Sequence, residues 1–160
     1  RAVATDILET SAANGDLRDA VLDWHPGNET APPGFNTGSE ESYYATGGPQ
    51  NAFGDALDRA FLDRQIAFNV YVRYHVDPTS YDETPIKREQ MVSMGTPSDN
   101  AVTASRTVTV ANDTTLTASG SEDETLEEVA SNSDMEFYAP PVDDGSTYNH
   151  LEVRIVIWRM

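Results

Sequence analysis

The sequence predicts an α+β domain in which N-terminal helices pack on a roughly four-stranded antiparallel β-sheet. Apolar residues recur at helical spacing within residues 1–24. Residues 66–76 alternate apolar and polar side chains, as a half-buried strand does. Residues 151–158 form the most hydrophobic segment of the chain. Because 160 residues is close to the usual size of one domain, residues 1–160 are expected to fold as a single unit.

The helical pattern at the start of the chain divides into two parts. Ile7 and Leu8 carry the spacing of the first helix, and Gly15 is typical of a helix end. A second helix is expected to begin with Asp16 as its N-terminal cap and to run to Trp24. Because the pattern is already under way at the first residue, the helix of this 24-residue segment is expected to extend further upstream.

A long connection and a third helix follow. Residues 25–48 are rich in turn formers and are predicted to be irregular, with Tyr43 and Tyr44 holding them against the core. Asn51 is predicted to cap the helix that comes next. The apolar face of that helix is expected to comprise Ala52, Phe53, Ala56, Leu57, Ala60 and Phe61.

Strand patterns dominate the rest of the chain. The four predicted strands cover residues 66–76, 86–94, 102–110 and 151–158. The first three follow one another through short connections, which favours antiparallel pairing. The region 112–136 is acidic and rich in Ser, Thr and Asn, and it is predicted to hold at most one helical turn, near Leu126 and Val129.

The chain carries a large excess of acidic residues. Its 27 Asp and Glu residues outnumber 10 Lys and Arg residues, which gives a formal net charge of −17, and Lys87 is the only lysine. Repulsion among so many carboxylates opposes the compact state at low salt, whereas a Debye length of about 3 Å at 1 M salt removes most of it. The composition therefore favours a saline environment. It also excludes nucleic acid as a partner, because no basic stripe offsets the repulsion from phosphates.

The sequence contains no motif for catalysis. Cysteine is absent, and His25, His75 and His150 lack the helical spacing of a zinc site. Neither a Gly-x-Ser-x-Gly elbow nor a glycine-rich phosphate loop occurs. We therefore predict a protein that is not an enzyme, with no catalytic residue and no cofactor. An unrecognised secreted hydrolase is the enzymatic alternative that is left open.

Two acidic clusters are candidates for binding divalent cations, because Ca²⁺ takes its ligands from carboxylate and carbonyl oxygens. One cluster contains Asp143 and Asp144, and the other contains Glu124, Glu127 and Glu128. Neither follows the alternating pattern of a dedicated calcium loop, and a chain with 27 acids produces clusters by chance. A solvated acidic face is therefore the favoured interpretation.

Two N-glycosylation sequons are complete. They begin at Asn28 and at Asn112. Both fall in predicted turns or loops, where a glycan can be attached without being buried. Asn28 and Asn112 are therefore candidate glycosylation sites if the domain is extracellular.

Three stretches of the sequence are distinctive in combination. They are residues 50–54 (QNAFG) running into 66–74 (IAFNVYVRY), residues 95–108 (GTPSDNAVTASRTV) and residues 153–160 (VRIVIWRM). Together they resemble a group of haloarchaeal proteins that are membrane-anchored and pilin-like. The resemblance covers most of the chain and rests on the whole pattern, so it carries no active site over to this sequence.

The resemblance implies an exported head domain on the extracellular face of the cell envelope, held by a hydrophobic helix upstream of Arg1. Type IV pilin-like proteins pair such a helix with a head built on an antiparallel sheet. The implied role is structural, in assembly or adhesion. The implied partners are copies of the chain or other pilin-like subunits, contacted through that helix, and the membrane is contacted only through the anchor. The alternative is an extracellular ligand- or cation-binding module that uses loop 35–48 or the acidic stretch 121–128.

Overall fold

The computed structural model confirms the predicted fold class. It describes residues 2–27, 33–35, 43–49, 51–75, 86–118, 122–132, 135–141 and 147–159. The elements in chain order are α1 (Ala2–Asn14), α2 (Asp16–Val21), β1 (Trp24–His25), β2 (Gly34–Phe35), α3 (Ala52–Ala60), a 3₁₀ turn (Leu62–Arg64), β3 (Ile66–His75), β4 (Ile86–Ser93), β5 (Val102–Ala111), α4 (Leu126–Ser131) and β6 (Thr147–Arg159). The described chain is therefore an α+β structure.

The main sheet has four antiparallel strands in the order β4-β3-β6-β5. The most hydrophobic strand, β6, lies between β3 and β5, where both of its edges are paired. It begins at Thr147 rather than at the predicted residue 151. The reason is that polar residues extend the pairing: Asn149 lies opposite Val110, and its side chain hydrogen-bonds both the N–H and the carbonyl of His75 at 3.2 and 3.0 Å.

The sheet has one apolar face and one polar face. On the apolar face the alternate residues Phe68, Val70 and Val72 of β3 are fully buried, as are Val153 and Ile155 of β6. Helices α1 and α2 lie beside β5, and their buried side chains join those of the sheet in one core. The intervening strand residues point to the opposite, polar face.

The junction between α1 and α2 differs from the prediction. Gly15, with φ of 87°, is the N-cap residue of α2, and Asp16 is the first residue of that helix. The Asn14 side chain accepts a hydrogen bond from the backbone N–H of Asp16 at 3.1 Å. The prediction of Asp16 as the cap was therefore wrong, because glycine enters the left-handed conformation at little cost and Asn14 supplies the acceptor.

The helical segment ends at Val21, so the predicted extension to Trp24 was also wrong. Trp24 belongs to β1, where it pairs with Phe35 of β2. Its indole Nε1 donates a hydrogen bond to the backbone carbonyl of Glu136 at 2.7 Å. Its ring lies edge-on to Phe35 and Tyr138, with centroids 5.1 and 5.0 Å apart. These contacts, together with the strand pairing, remove Trp24 from the helix.

Of the two tyrosines that were predicted to hold the connection 25–48 against the core, Tyr44 alone is buried. Its N–H donates to the carbonyl of Met91 at 2.8 Å, and its carbonyl accepts from the N–H of Ser93 at 2.9 Å. Tyr43 is exposed, so its predicted role in holding the connection was wrong. Neighbouring residues of an extended segment point to opposite sides, and only Tyr44 points inward.

Helix α3 begins as predicted. The Asn51 side chain accepts a hydrogen bond from the N–H of Gly54 at 2.9 Å. Phe53 and Leu57 are fully buried, whereas Ala52 is exposed. Ala52 was therefore wrongly assigned to the apolar face, because the first helical residue lies outside the stripe that contacts the core.

One end of the polar face is covered by the connection between β4 and β5. These strands lie at opposite edges of the sheet, so residues 94–101 cross from one edge to the other. The side chain of Asn69 fixes the start of this crossing, because it donates to the carbonyl of Gly95 at 2.9 Å and accepts from the N–H of Met94 at 2.8 Å. At the other end of the face, His75 and His150 are exposed.

Candidate functional site

Charge is divided unevenly between the sheet and the rest of the chain. Strands β3 to β6 contain six of the ten cations and only two acids, Glu89 and Glu152, so their net charge is +4. The remaining residues carry four cations and 25 acids, a net charge of −21. A cationic sheet therefore lies within a strongly acidic molecule.

Three arginines of the sheet converge on its polar face. Arg73 of β3 lies directly opposite Arg88 of β4 on one side and opposite Glu152 of β6 on the other. Arg154 lies two residues beyond Glu152 and opposite Tyr71, so it points to the same face. These five residues (Tyr71, Arg73, Arg88, Glu152 and Arg154) are called the arginine face below.

One carboxylate bridges two of the guanidinium groups. Glu152 Oε1 accepts a hydrogen bond from Arg73 Nη1 at 3.1 Å and another from Arg154 Nε at 2.8 Å. The three side chains are between 31% and 33% exposed. The hydrogen bond to Glu152 raises the pKa of Arg154, burial lowers it in part, and a hydrogen bond with Tyr71 raises it again. The bridge holds both guanidinium groups in fixed positions.

The third guanidinium group stacks on a tyrosine. Cζ of Arg88 lies 4.9 Å from the centroid of the Tyr71 ring, within the range of a cation–π interaction. Arg88 is exposed, so its N–H donors face solvent. Three guanidinium groups and one carboxylate leave a local charge of +2. Because each planar guanidinium can bind a carboxylate through two parallel N–H···O bonds, the arginine face is suited to bind a carboxylate-bearing surface.

Two of the three histidines lie at the open end of the same face. The rings of His75 and His150 meet edge-on with their centroids 6.2 Å apart. His150 Nδ1 lies 2.9 Å from the hydroxyl of Thr109. His25 lies in β1, and its Nδ1 accepts a hydrogen bond from the N–H of Gly27 at 3.0 Å. The structure therefore brings together only two of the histidines, and Thr109 is a hydrogen-bond partner of the His150 ring.

Of the three predicted cation ligands in and near α4, Glu128 has a different role, because it caps the helix. The N–H of Glu128 donates to Thr125 Oγ1, and Glu128 Oε1 accepts from that hydroxyl, both at 3.1 Å. This reciprocal pair fixes the start of α4. Glu127 is exposed, and Glu124 is half-buried with no hydrogen-bond partner for its Oε2. No group of three or more His, Cys, Asp or Glu side chains in the described part of the chain could hold a metal ion.

The remaining predicted sites are only partly described. Asp143, Asp144 and Asn28 lie outside the described residues. Asn112 is half-buried in the turn after β5. Thr114 of the same sequon is buried, and its hydroxyl accepts a hydrogen bond from the backbone N–H at the end of β5 at 3.1 Å. Glycosylation of Asn112 stays a prediction.

The acidic region around α4 lies on the opposite side of the sheet from the arginine face. The predicted helical turn is α4 itself, and Leu126 and Val129 are buried in the core that covers the apolar face. Residues 122–128, called the acidic segment below, carry four exposed carboxylates, those of Glu122, Asp123, Glu127 and Glu128. The arginine face and the acidic segment therefore carry opposite charges.

A cavity of about 340 Å³ opens at the β4 edge of the sheet. Its walls include Tyr74, Lys87, Glu136, Tyr138, Pro140 and Tyr148. The hydroxyls of Tyr138 and Tyr148 donate to the backbone carbonyls of Val21 and Ala139 at 2.7 and 2.6 Å. These bonds fix the aromatic walls, and burial raises the pKa of both tyrosines.

Glu89 lies beside this aromatic cavity. Its carboxyl group is half-buried and, among the described residues, makes no hydrogen bond or ion pair. Burial raises the pKa of Glu89, and the negative charge of Glu136 raises it further. Burial and then the same two carboxylates raise the pKa of Tyr74. Two carboxyl groups and the tyrosine rings can interact with a positively charged ligand group, and Lys87 is a cation that already lines the same cavity.

Neither site was identified from the sequence. A signal for the arginine face was present, because cations at alternating strand positions stand out in a chain that is acidic elsewhere. The cavity has no local signal, since Tyr74, Glu89 and Glu136 come from separate parts of the chain and only the fold brings them together.

The fold and these two sites define an acidic α+β domain with a cationic sheet face. None of the helices in the described residues has the length and apolar content that a membrane span requires. The chain belongs to a family of unknown function (DUF7288), whose model matches residues 1–157. No match was found among curated proteins or among solved structures.

Proposed function

We propose that this chain is the head domain of a pilin-like structural protein on the surface of a halophilic archaeon, acting in assembly or adhesion rather than in catalysis. The observation that carries the proposal is the arginine face. Three of only ten cations lie together on an open sheet face of a chain with a net charge of −17. A surface of that kind is suited to bind another macromolecule through carboxylates.

The charge of the rest of the molecule supports an extracellular, saline location. Outside the sheet the net charge is −21, and concentrated salt screens the resulting repulsion. The order of elements is also the one expected for a pilin-like head, with helices first and an antiparallel sheet after them. The proposed partners are copies of the chain or other pilin-like subunits, with no nucleic acid and no cofactor involved.

Surface labelling of cells tests this proposal. The complete gene product, with a C-terminal epitope tag, is expressed in a halophilic host. Intact cells are then treated with a protease and with a membrane-impermeant label, and a tagged cytosolic protein serves as the matched control. We expect the tagged head to be labelled and cleaved on intact cells and to fractionate with the envelope. A product that is protected in intact cells and recovered with the cytosolic control would contradict the proposal.

A second candidate function is an extracellular ligand-binding module, which the aromatic cavity favours over the loop and acidic stretch that the sequence indicated. Its volume of about 340 Å³ suits a small organic molecule. The half-buried Glu89, the nearby Glu136 and the tyrosine walls favour a ligand with an ammonium group. In this function the cavity, rather than the sheet face, is the active surface.

Titration with tetramethylammonium chloride tests the second candidate, with tert-butanol as the neutral probe of similar shape. Calorimetry in molar KCl is expected to show saturable binding of the cation alone. Glu89→Gln should weaken this binding, whereas Glu9→Gln, on the exposed surface of α1, should not. Equal responses to the two probes, or no response to either, would remove this candidate.

A further inference from the structure

We infer that the arginine face docks on the acidic segment of a second copy of this chain, so that copies stack head to tail. This inference rests on the proposed assembly function and names its partner and surfaces. The three guanidinium groups lie on the polar face of the sheet, whereas the four exposed carboxylates of residues 122–128 belong to a segment whose buried Leu126 and Val129 join the core on the apolar face.

The charges of the two surfaces are opposite in sign, and their charged groups are complementary in chemistry. The arginine face has a local charge of +2 because Glu152 offsets one of its three arginines. The acidic segment lacks any cation and carries four exposed carboxylates within seven residues. Guanidinium and carboxylate are the pair that forms parallel, charge-assisted hydrogen bonds. Each surface therefore supplies what the other lacks.

The positions of the surfaces determine the kind of assembly. A contact between two different patches of the same chain is heterologous, and it propagates as an open filament unless the rotation closes a ring. The arginine face lies on the polar side of the sheet, whereas Leu126 and Val129 fix the acidic segment on the apolar side. In an open filament, the copy at one end therefore presents its arginine face to the next copy, and the copy at the other end presents its acidic segment.

The net charge determines the salt dependence of this contact. At low salt two molecules of charge −17 repel each other over long distances. At about 1 M salt the Debye length falls to about 3 Å, so the long-range repulsion is removed. Direct pairs are screened much less when they are partly buried, and Arg73 and Arg154 are already about two-thirds buried in the single chain. Association is therefore expected to strengthen as salt increases.

Charge reversal and its rescue test the docking. Association of the 160-residue chain is measured by sedimentation velocity in about 1 M KCl, where the long-range repulsion between copies is screened and direct contacts between charged groups persist. Arg88→Glu should weaken association about tenfold, which is the order expected when one charge pair becomes repulsive. Glu127→Arg should weaken it similarly, and a mixture of the two variants should restore heterotypic association. Arg64→Glu, an exposed reversal outside both surfaces, is the matched control and should leave association unchanged.

Several outcomes would overturn the docking. In the first, the chain stays monomeric up to a protein concentration of about 1 mM, which corresponds to the Kd of a very weak complex. In the second, the Arg88→Glu variant associates as strongly as the Arg64→Glu variant. Association of the wild-type chain only with an added anionic polymer, such as polyglutamate, would also overturn it, because the occupant would then not be a second copy. In each case the surface-labelling experiment is unaffected, so the proposed cell-surface function can stand when the docking fails. A cytosolic location would remove the function separately.

Discussion

Arg73 and Glu152 face each other across strands β3 and β6, with Nη1 of the arginine 3.1 Å from Oε1 of the glutamate. The same oxygen also accepts the hydrogen bond from Arg154 at 2.8 Å. Glu152 therefore separates two guanidinium groups that would otherwise repel each other. It is the one acidic residue on the polar face of the four strands.

Replacing this carboxylate should destabilise the fold. We expect Glu152→Gln to lower the free energy of unfolding by about 1 kcal/mol at low salt, because two charge-assisted hydrogen bonds weaken and the two arginines repel. Denaturant unfolding measures the loss. Glu127→Gln is the control, because it also removes one negative charge but from an exposed position. It should leave the free energy of unfolding unchanged or raise it, since it reduces the repulsion among carboxylates. A Glu152→Gln protein as stable as this control would mean that the bridge contributes nothing.

Salt should stabilise the whole domain. The residues outside the sheet carry a net charge of −21, and their mutual repulsion weakens as the Debye length shrinks. We expect the melting temperature to rise by at least about 10 °C between low and molar KCl, equivalent to roughly 3–4 kcal/mol for a domain of this size. Scanning calorimetry at fixed pH measures the shift. A melting temperature that does not change with salt would show that the acidic excess is not an adaptation to brine.

The carboxyl group of Glu89 should make stability depend on pH. Its pKa is raised in the folded state, first by burial and then by Glu136. A group with a raised pKa binds its proton more tightly when folded, so its contribution to stability is present below the unfolded pKa and is lost as the pH rises through the folded value. The basic side chain of Lys87 and the side chains of Tyr74 and Tyr138 also face this region, and burial raises the pKa of both tyrosines, so both are neutral at neutral pH.

Glu89→Gln should therefore raise the melting temperature at neutral pH relative to the wild-type chain. The difference should shrink as the pH falls to about 4, where the unfolded carboxyl is protonated as well. Glu9→Gln, exposed on α1, controls for the loss of one surface charge. If the two variants change the melting temperature equally at every pH, the surroundings of Glu89 in the folded protein do not raise its pKa.

Gly54 should tolerate no larger residue. It lies in the first turn of α3, where a Cβ atom would overlap the carbonyl group of Pro49. We expect Gly54→Ala to cost about 3 kcal/mol, because the clash involves backbone that cannot rotate away. Gly15→Ala is the matched control. That site is open, so only the left-handed φ of 87° opposes the substitution, at about 1 kcal/mol. Denaturant unfolding of both variants gives the comparison, and equal losses would contradict the packing at Gly54.

The secondary structure was largely predictable because its periodicity is local. The alternation in β3 and the cap at Asn51 are written in consecutive residues, and both are present in the structure. The end of α2 was not predictable in this way. Trp24 leaves the helix because its partners, Phe35 and Tyr138, are distant in sequence. Contacts of that kind override the helical spacing.

The candidate sites depend still more on tertiary structure. Alternation alone places Arg73 and Arg154 on the polar sides of their strands, but their convergence requires the strand order β4-β3-β6-β5. If the strands had paired in the order in which they occur in the chain, β5 would lie beside β4, and β6 would not contact β3. The pairing of Arg73 with Glu152, at positions 79 residues apart, follows only from the insertion of β6 at the centre of the sheet.

A cross-linking comparison tests the head-to-tail contact most directly, because Lys87 is the only lysine and lies beside Arg88. The double substitution Lys87→Arg/Arg88→Lys keeps the composition and charge and moves the one side-chain amine onto the arginine face. A zero-length carbodiimide is applied in about 1 M KCl to mixtures of isotopically light and heavy chains, so that cross-links between copies are identified by mass. The docking predicts that the lysine introduced at position 88 joins carboxylates of residues 122–128 in another copy, and does so more than Lys87 does in the wild-type chain. Cross-links from position 88 that miss this segment, or that occur only within one copy, would contradict it.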